Sequence, residues 1–124
     1  MSPDEIDWVS AHASSTPLGD IAEARAIALA LGERAATVPV SGTKALYGHP
    51  LGASGAIEAA IAALAIHDGW VPASVNLVEP ESALAELLPG LLRQGREGDF
   101  RHILSTSFGF GGLNAAIVLG APGR

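Results

Sequence analysis

From Ala53 to His67 the chain reads Ala-Ser-Gly-Ala-Ile-Glu-Ala-Ala-Ile-Ala-Ala-Leu-Ala-Ile-His, apolar at nearly every position and mostly alanine. A helix of this composition has no polar stripe to give to water, and a helix apolar all round is a buried one. Alanine lets neighbouring backbones approach closely. The expectation is a helix lying between two layers of structure and not on a surface. Glu58 is the one carboxylate inside it, and a lone buried carboxylate is expensive, so it must pair or hydrogen-bond. The run is short of the roughly 20 residues a membrane crossing needs and is interrupted by Glu58, so no membrane span is expected. Met1 to Glu5 is polar and acidic, unlike a secretory leader.

The 124 residues suffice for one domain with one core. At 48% apolar and 16% charged residues, general disorder is excluded. A net charge of −6, with no Lys/Arg cluster, argues against a nucleic-acid surface. There is no cysteine. That removes disulfides, thiolate metal sites and a thiol nucleophile, and it fits a cytoplasmic location.

Upstream of the alanine helix, Ile6–His12 reads as a strand, with Ile6, Trp8 and Ser10 on one face. Ala-Ser-Ser-Thr-Pro-Leu-Gly then reads as loop. Asp20 is placed as an N-cap with Glu23 three residues on, a capping-box variant. Ile21, Ala24, Ala28 and Leu31 would form the apolar face, and Gly32 would end the helix. Thr37–Gly42 is the second strand. Downstream, Trp70–Pro80 looks extended, the leucines at 84, 87, 88, 91 and 92 suggest a short helix broken at Pro89-Gly90, and Gln94–Asp99 is a turn. His102–Ser107 and Asn114–Leu119 are strands joined by Phe-Gly-Phe-Gly-Gly, a hairpin. The order β-α-β-α-loop-β-β indicates an α/β fold with a mixed sheet and a buried Ala-rich helix.

Three features fall at strand ends, where sites collect in α/β sheets. His12 ends the first strand. Lys44 and His49 follow the second, on a turn loosened by Gly48, Gly52 and Gly55. Phe108–Gly112 follows the third. Two neutral imidazoles can each donate an N–H to one carbonyl oxygen that gains charge, and a nearby ammonium sets charge balance. A metal is the rival use of two histidines, but no third ligand stands at a suitable spacing and there are no cysteines. The Phe-Gly turn lacks the Lys-Ser/Thr of a phosphate loop and precedes a strand. It reads either as a turn packed by aromatics or as a backbone N–H offered to an oxyanion, gated by phenylalanine. His67 and His102 read as structural.

In these residues the chain resembles one family. His12-Ala-Ser-Ser-Thr-Pro-Leu-Gly-Asp20 resembles the first histidine motif of β-ketoacyl-(acyl-carrier-protein) synthases of the thiolase superfamily. Gly42-Thr-Lys44, Gly48-His49 and Gly52-Ala-Ser-Gly-Ala-Ile-Glu58 resemble their lysine and second-histidine motif. Phe108-Gly-Phe-Gly-Gly-Leu-Asn114 resembles their C-terminal gate loop. The resemblance implies a single domain, 1–124, equivalent to the C-terminal, thiolase-like half, with the half that carries the nucleophilic cysteine absent.

The activity implied is acyl transfer in fatty-acid or polyketide synthesis, a decarboxylative Claisen condensation of malonyl-carrier protein with an acyl thioester. His12, His49 and Lys44 would be catalytic, the histidines binding the malonyl thioester carbonyl and Lys44 supporting the second of them. Phe110 with Gly109 would form the oxyanion hole and gate. Ser14 and Thr16 would line the pantetheine channel. Glu58 would support the lysine loop, with Asn114 a further supporting residue. No cofactor is implied beyond the phosphopantetheine of an acyl carrier protein. The partners implied are that carrier protein and an N-terminal half or partner subunit, in a homo- or heterodimer.

Two residues depart from the pattern: Ala13 stands where a glycine is usual, so a narrower channel or an altered turn is expected, and Leu113 replaces a threonine. Lacking a cysteine, the chain alone is expected not to condense acyl groups. A non-catalytic partner subunit and a malonyl-thioester decarboxylase are the alternatives.

Overall fold

The computed structural model describes residues 1–123; Arg124, the last residue of the expected domain, lies outside them. Nine elements follow in order: β1 (Trp8–Ser10), α1 (Gly19–Leu31), β2 (Val40–Ser41), α2 (Ser54–Asp68), β3 (Trp70–Val71), α3 (Ser82–Leu87), β4 (Arg96–Glu97), β5 (His102–Phe108) and β6 (Asn114–Gly120). The main sheet has the order β2-β1-β5-β6. β1 runs parallel to β2 and β5, and β6 returns antiparallel to β5. This is the mixed sheet expected, closed on one side by the expected hairpin.

β1 is the centre of the sheet, and its residues are buried on both faces, not alternately. The reason is helices on either side. Val9 and Val40 pack with Ala24, Ile27, Leu31 and Leu88 from the α1/α3 side. Trp8 and Ile103 pack with Ala62 and Ala65 of α2 on the other. Trp8 is fully buried. Its indole N–H donates to Ser41 Oγ at 3.0 Å, which in turn donates to Pro72 O at 2.6 Å. The Asp7 carboxylate accepts the N–H groups of Arg101 (2.7 Å) and His102 (2.9 Å), fixing the start of β5 beside β1.

Four expectations are corrected. Leu18, not Asp20, caps α1; Asp20 is inside the first turn and its Oδ1 accepts the N–H of Ser15 at 3.1 Å. The buried stripe of α1 is Glu23, Ala24, Ile27 and Leu31, leaving Ile21 and Ala28 half-buried. The expected turn at Gln94–Asp99 contains β4, whose Arg96 and Glu97 pair with Val71 and Trp70 of β3.

The largest correction concerns α2. Only Ser54, Glu58, Ala62 and Ala65 are buried, a single stripe laid on β5. Ala56, Ala60, Ala63 and Leu64 are exposed, as is most of β6. Among the described residues the helix has one layer beneath it and none above. By length and composition alone, the 18 residues Leu51–Asp68 would suffice to cross a membrane. What ties them to the sheet is their packing on β5 and the buried charge of Glu58.

Candidate functional site

β1, β2 and β5 are parallel and end at one edge of the sheet. His12 lies just beyond β1, Lys44 just beyond β2, and Phe108 closes β5. The strand-end rule therefore brings together residues that are far apart in sequence. The His12 and His49 rings stand edge to face, with centroids 5.2 Å apart and planes at 79°. Phe108 lies against His12 at 6.3 Å. His12, His49, Ser14, Thr16, Gly109 and Phe110 line one cavity of about 710 Å³, in which Ser14 Oγ and Thr16 Oγ1 stand 3.4 Å apart.

His12 is 8% exposed, and its Nδ1 has no hydrogen-bond partner among the described residues. Burial, with help from the Lys44 and His49 charges, lowers its pKa to about 4. At neutral pH it is an uncharged imidazole, able to donate one N–H. His49 is exposed, and its Nδ1 accepts the backbone N–H of Leu51 at 3.2 Å. An amide can only donate, so the His49 proton is on Nε2.

Lys44 differs from the expectation. Its ammonium donates to the backbone carbonyl of His12 at 2.6 Å and pairs with the Glu58 carboxylate. It supports the first histidine, not the second. Lys44 is 6% exposed and Glu58 fully buried, so the glutamate inside the apolar helix has the partner it was expected to need. Burial raises the Glu58 carboxyl, and Lys44 opposes that shift. Glu58 Oε2 has no partner among the described residues.

A residue read only as a helix cap turns out to hold the site. Glu23 Oε1 accepts the His12 N–H at 2.8 Å and the Thr106 hydroxyl at 2.6 Å, while Oε2 accepts the Ala13 N–H at 2.8 Å. It clamps the His12 turn to β5. Burial raises its pKa, and these hydrogen bonds oppose the rise. The signal was present in the sequence: a charge on the apolar stripe of α1, beside Ala24 and one turn before Ile27.

The turn it clamps is unusual at Ala13, which has a φ of +40°, in the region that favours glycine. The methyl is accommodated by Gly42, where an added Cβ would stand 2.4 Å from Ala13 Cβ. Ala13 faces a neighbouring cavity of about 440 Å³, not the one with both histidines. Ala13 thus holds a backbone conformation that a glycine would adopt without strain.

At the gate loop, the Gly109 N–H donates to Leu113 O at 2.7 Å, closing the hairpin. This occupies the Gly109 donor and narrows the oxyanion expectation to Phe110. The Phe110 ring is 90% exposed. Asn114 pairs with Phe108 across the hairpin and does not line the histidine cavity. Among the described residues no three His, Asp or Glu side chains converge as a metal-ion cluster would.

Residues 1–78 match the family described as Beta-ketoacyl synthase, C-terminal domain. The chain is 41% identical over 120 residues to 3-oxoacyl-[acyl-carrier-protein] synthase 2 of Coxiella burnetii, covering 96% of this chain and 28% of that protein. Among solved structures it is similar to the ishigamide ketosynthase/chain length factor, with a TM-score of 0.91 and 31% identity over 99% of this chain and 30% of that one. It is also similar to a ketosynthase structure described as a type II acyl-carrier protein in complex with its ketosynthase bound to the hexaketide. There the TM-score is 0.89 and the identity 33%, over 99% of this chain and 30% of that one. The chain thus spans under a third of the length of the proteins it matches.

Proposed function

Because the chain belongs to the β-ketoacyl synthase family through its C-terminal domain, we propose that it supplies the two-histidine part of an acyl-condensing site. The substrate is a malonyl group carried as a thioester on the phosphopantetheine arm of an acyl carrier protein. The arm enters past Ser14 and Thr16. His49, through Nε2–H, and His12, as a neutral donor, each hydrogen-bond the malonyl thioester carbonyl oxygen. When the bond between the α-carbon and the carboxylate breaks, carbon dioxide leaves and the electron pair passes into the thioester as an enolate. The two N–H groups stabilise the charge gathering on that oxygen. Donors of this kind, aimed in advance at developing charge, supply about 2.7–4 kcal/mol each when removed singly in other enzymes.

The observation that carries this reading is the pair of imidazoles 5.2 Å apart on one cavity, the more buried of them held uncharged. Lys44 and Glu58 fix the carbonyl end of His12 from behind, and Phe110 offers its backbone N–H to the acyl thioester and its ring as a gate. Condensation needs the enolate carbon to attack an acyl thioester held on a nucleophile. This chain has no cysteine, so that group comes from an N-terminal half or partner subunit, and the chain alone makes no condensed product.

The exposed apolar faces of α2 and β6 are the surface such a partner would cover. A catalytically silent subunit is the rival reading, but it has no need of two histidines on one cavity. The test is reconstitution. With malonyl- and acyl-carrier protein, β-ketoacyl product is expected only when a cysteine-bearing partner is added. Product from the pure chain would overturn the division of labour.

A further inference from the structure

We propose that Ser54 is a positioning residue for His49, and that one face of α2 holds both histidines. The inference rests on the two-histidine reading above and adds how their geometry is kept. Ser54 opens α2 and is 4% exposed, although its side chain is polar. Its Oγ stands 3.1 Å from His49 Nδ1. That nitrogen already accepts the Leu51 N–H at 3.2 Å, which fixes it as an acceptor, so the Ser54 hydroxyl donates to it. The two donors reach the same nitrogen from different segments. A single contact would leave the ring free to swing about the bond to Cβ; two contacts define its plane.

The anchors are unequal in rigidity. Leu51 sits in a turn at φ +51°, a conformation costly for a side chain with a Cβ. Ser54 is in the first turn of a 15-residue helix packed on β5. Four residues on, and on the same buried stripe, Glu58 holds Lys44, whose ammonium donates to the His12 carbonyl. Side chains at this spacing lie one above the other on a helix. One turn of α2 therefore reaches His49 directly and His12 through Lys44, and the separation of the two rings is set by a single rigid element. This also accounts for the two polar residues on the buried stripe of α2, Ser54 and Glu58.

The experiment compares Ser54→Ala and Ser54→Thr with the parent chain, each with a thermal unfolding midpoint as control. Alanine is the best helix former, so Ser54→Ala keeps the helix. The first readout is the ¹⁵N spectrum of the His49 ring. The parent shows the Nε2–H tautomer alone. Ser54→Ala shows averaging toward a mixture of tautomers, and Ser54→Thr restores the parent signature. The second readout is carbon dioxide release from malonyl-carrier protein. Loss of one hydrogen bond to the ring is expected to lower kcat about three- to tenfold with KM little changed, with recovery in Ser54→Thr. Ring signals and turnover both unchanged in Ser54→Ala overturn the proposal. If the parent releases no carbon dioxide, the functional reading fails, and the ¹⁵N signature alone decides for or against Ser54.

Discussion

The Lys44 ammonium donates to the His12 backbone carbonyl across 32 positions of sequence while paired with Glu58 in the core. This contact joins β2, α2 and the end of β1 through one cation. Breaking a buried pair by removing one partner leaves an uncompensated charge and costs about 3–5 kcal/mol. Glu58→Ala is therefore expected to lower the unfolding free energy in urea by about that amount. Lys44→Met combined with Glu58→Leu, which removes both charges, is expected to cost much less. Equal losses in the single and double variants would show that the pair is not the cause.

Glu23 uses both oxygens on groups that can only donate or are best placed to. Glu23→Gln preserves shape but turns an NH2 toward one of those N–H groups. One buried donor is then left unpaired, at about 1–3 kcal/mol. The same variant is expected to slow carbon dioxide release by loosening the His12 turn. Unchanged stability and turnover would remove Glu23 from the site.

His12 has a folded-state pKa lowered from 6.5 to about 4. The unfolded chain binds its proton below about 6.5 and the folded one only below about 4. From this group stability falls as pH drops through that window and is level above it. Glu23 and Glu58, both raised, act in the opposite sense, with contributions that decline as pH rises above 4.5. An NMR titration is expected to give His12 a midpoint near 4. A midpoint near 6.5 would mean the ring is solvated and charged when the site is mildly acidic.

The outer faces of α2 and β6 present Leu64, Ile117 and Val118 to water, at 59%, 48% and 43% exposure. β6 is also an edge strand with unpaired backbone groups, a template for association. Light scattering at micromolar concentration is expected to show self-association, reduced by Leu64→Glu with Val118→Lys. A monodisperse parent monomer would contradict this.

Much of this was legible in the sequence, and the misses share a cause. The hairpin of β5 and β6 was readable because two strand-like runs flank a glycine-rich turn. His12, Lys44, His49 and the Phe108–Gly112 turn were readable as neighbours because strand ends in an α/β sheet converge, whereas Ser14 and Thr16 were marked only by the family resemblance. The burial of α2 was misjudged because apolarity reports what a helix needs covered, not whether this chain covers it. Glu23 was misread because a capping box is a local pattern, whereas its partners are ten and more residues away. The contact of Lys44 with the His12 carbonyl was not legible, because the two are 32 positions apart and only the pairing of β1 with β2 brings them together.

Carbon dioxide release from malonyl-carrier protein, measured for the parent, His12→Ala and His49→Ala, is the most direct test of the two-histidine site. Each substitution is expected to lower kcat about a hundredfold or more, with the thermal midpoint of His49→Ala nearly unchanged because that ring is exposed. Release at the parent rate from both variants would contradict the two-histidine site.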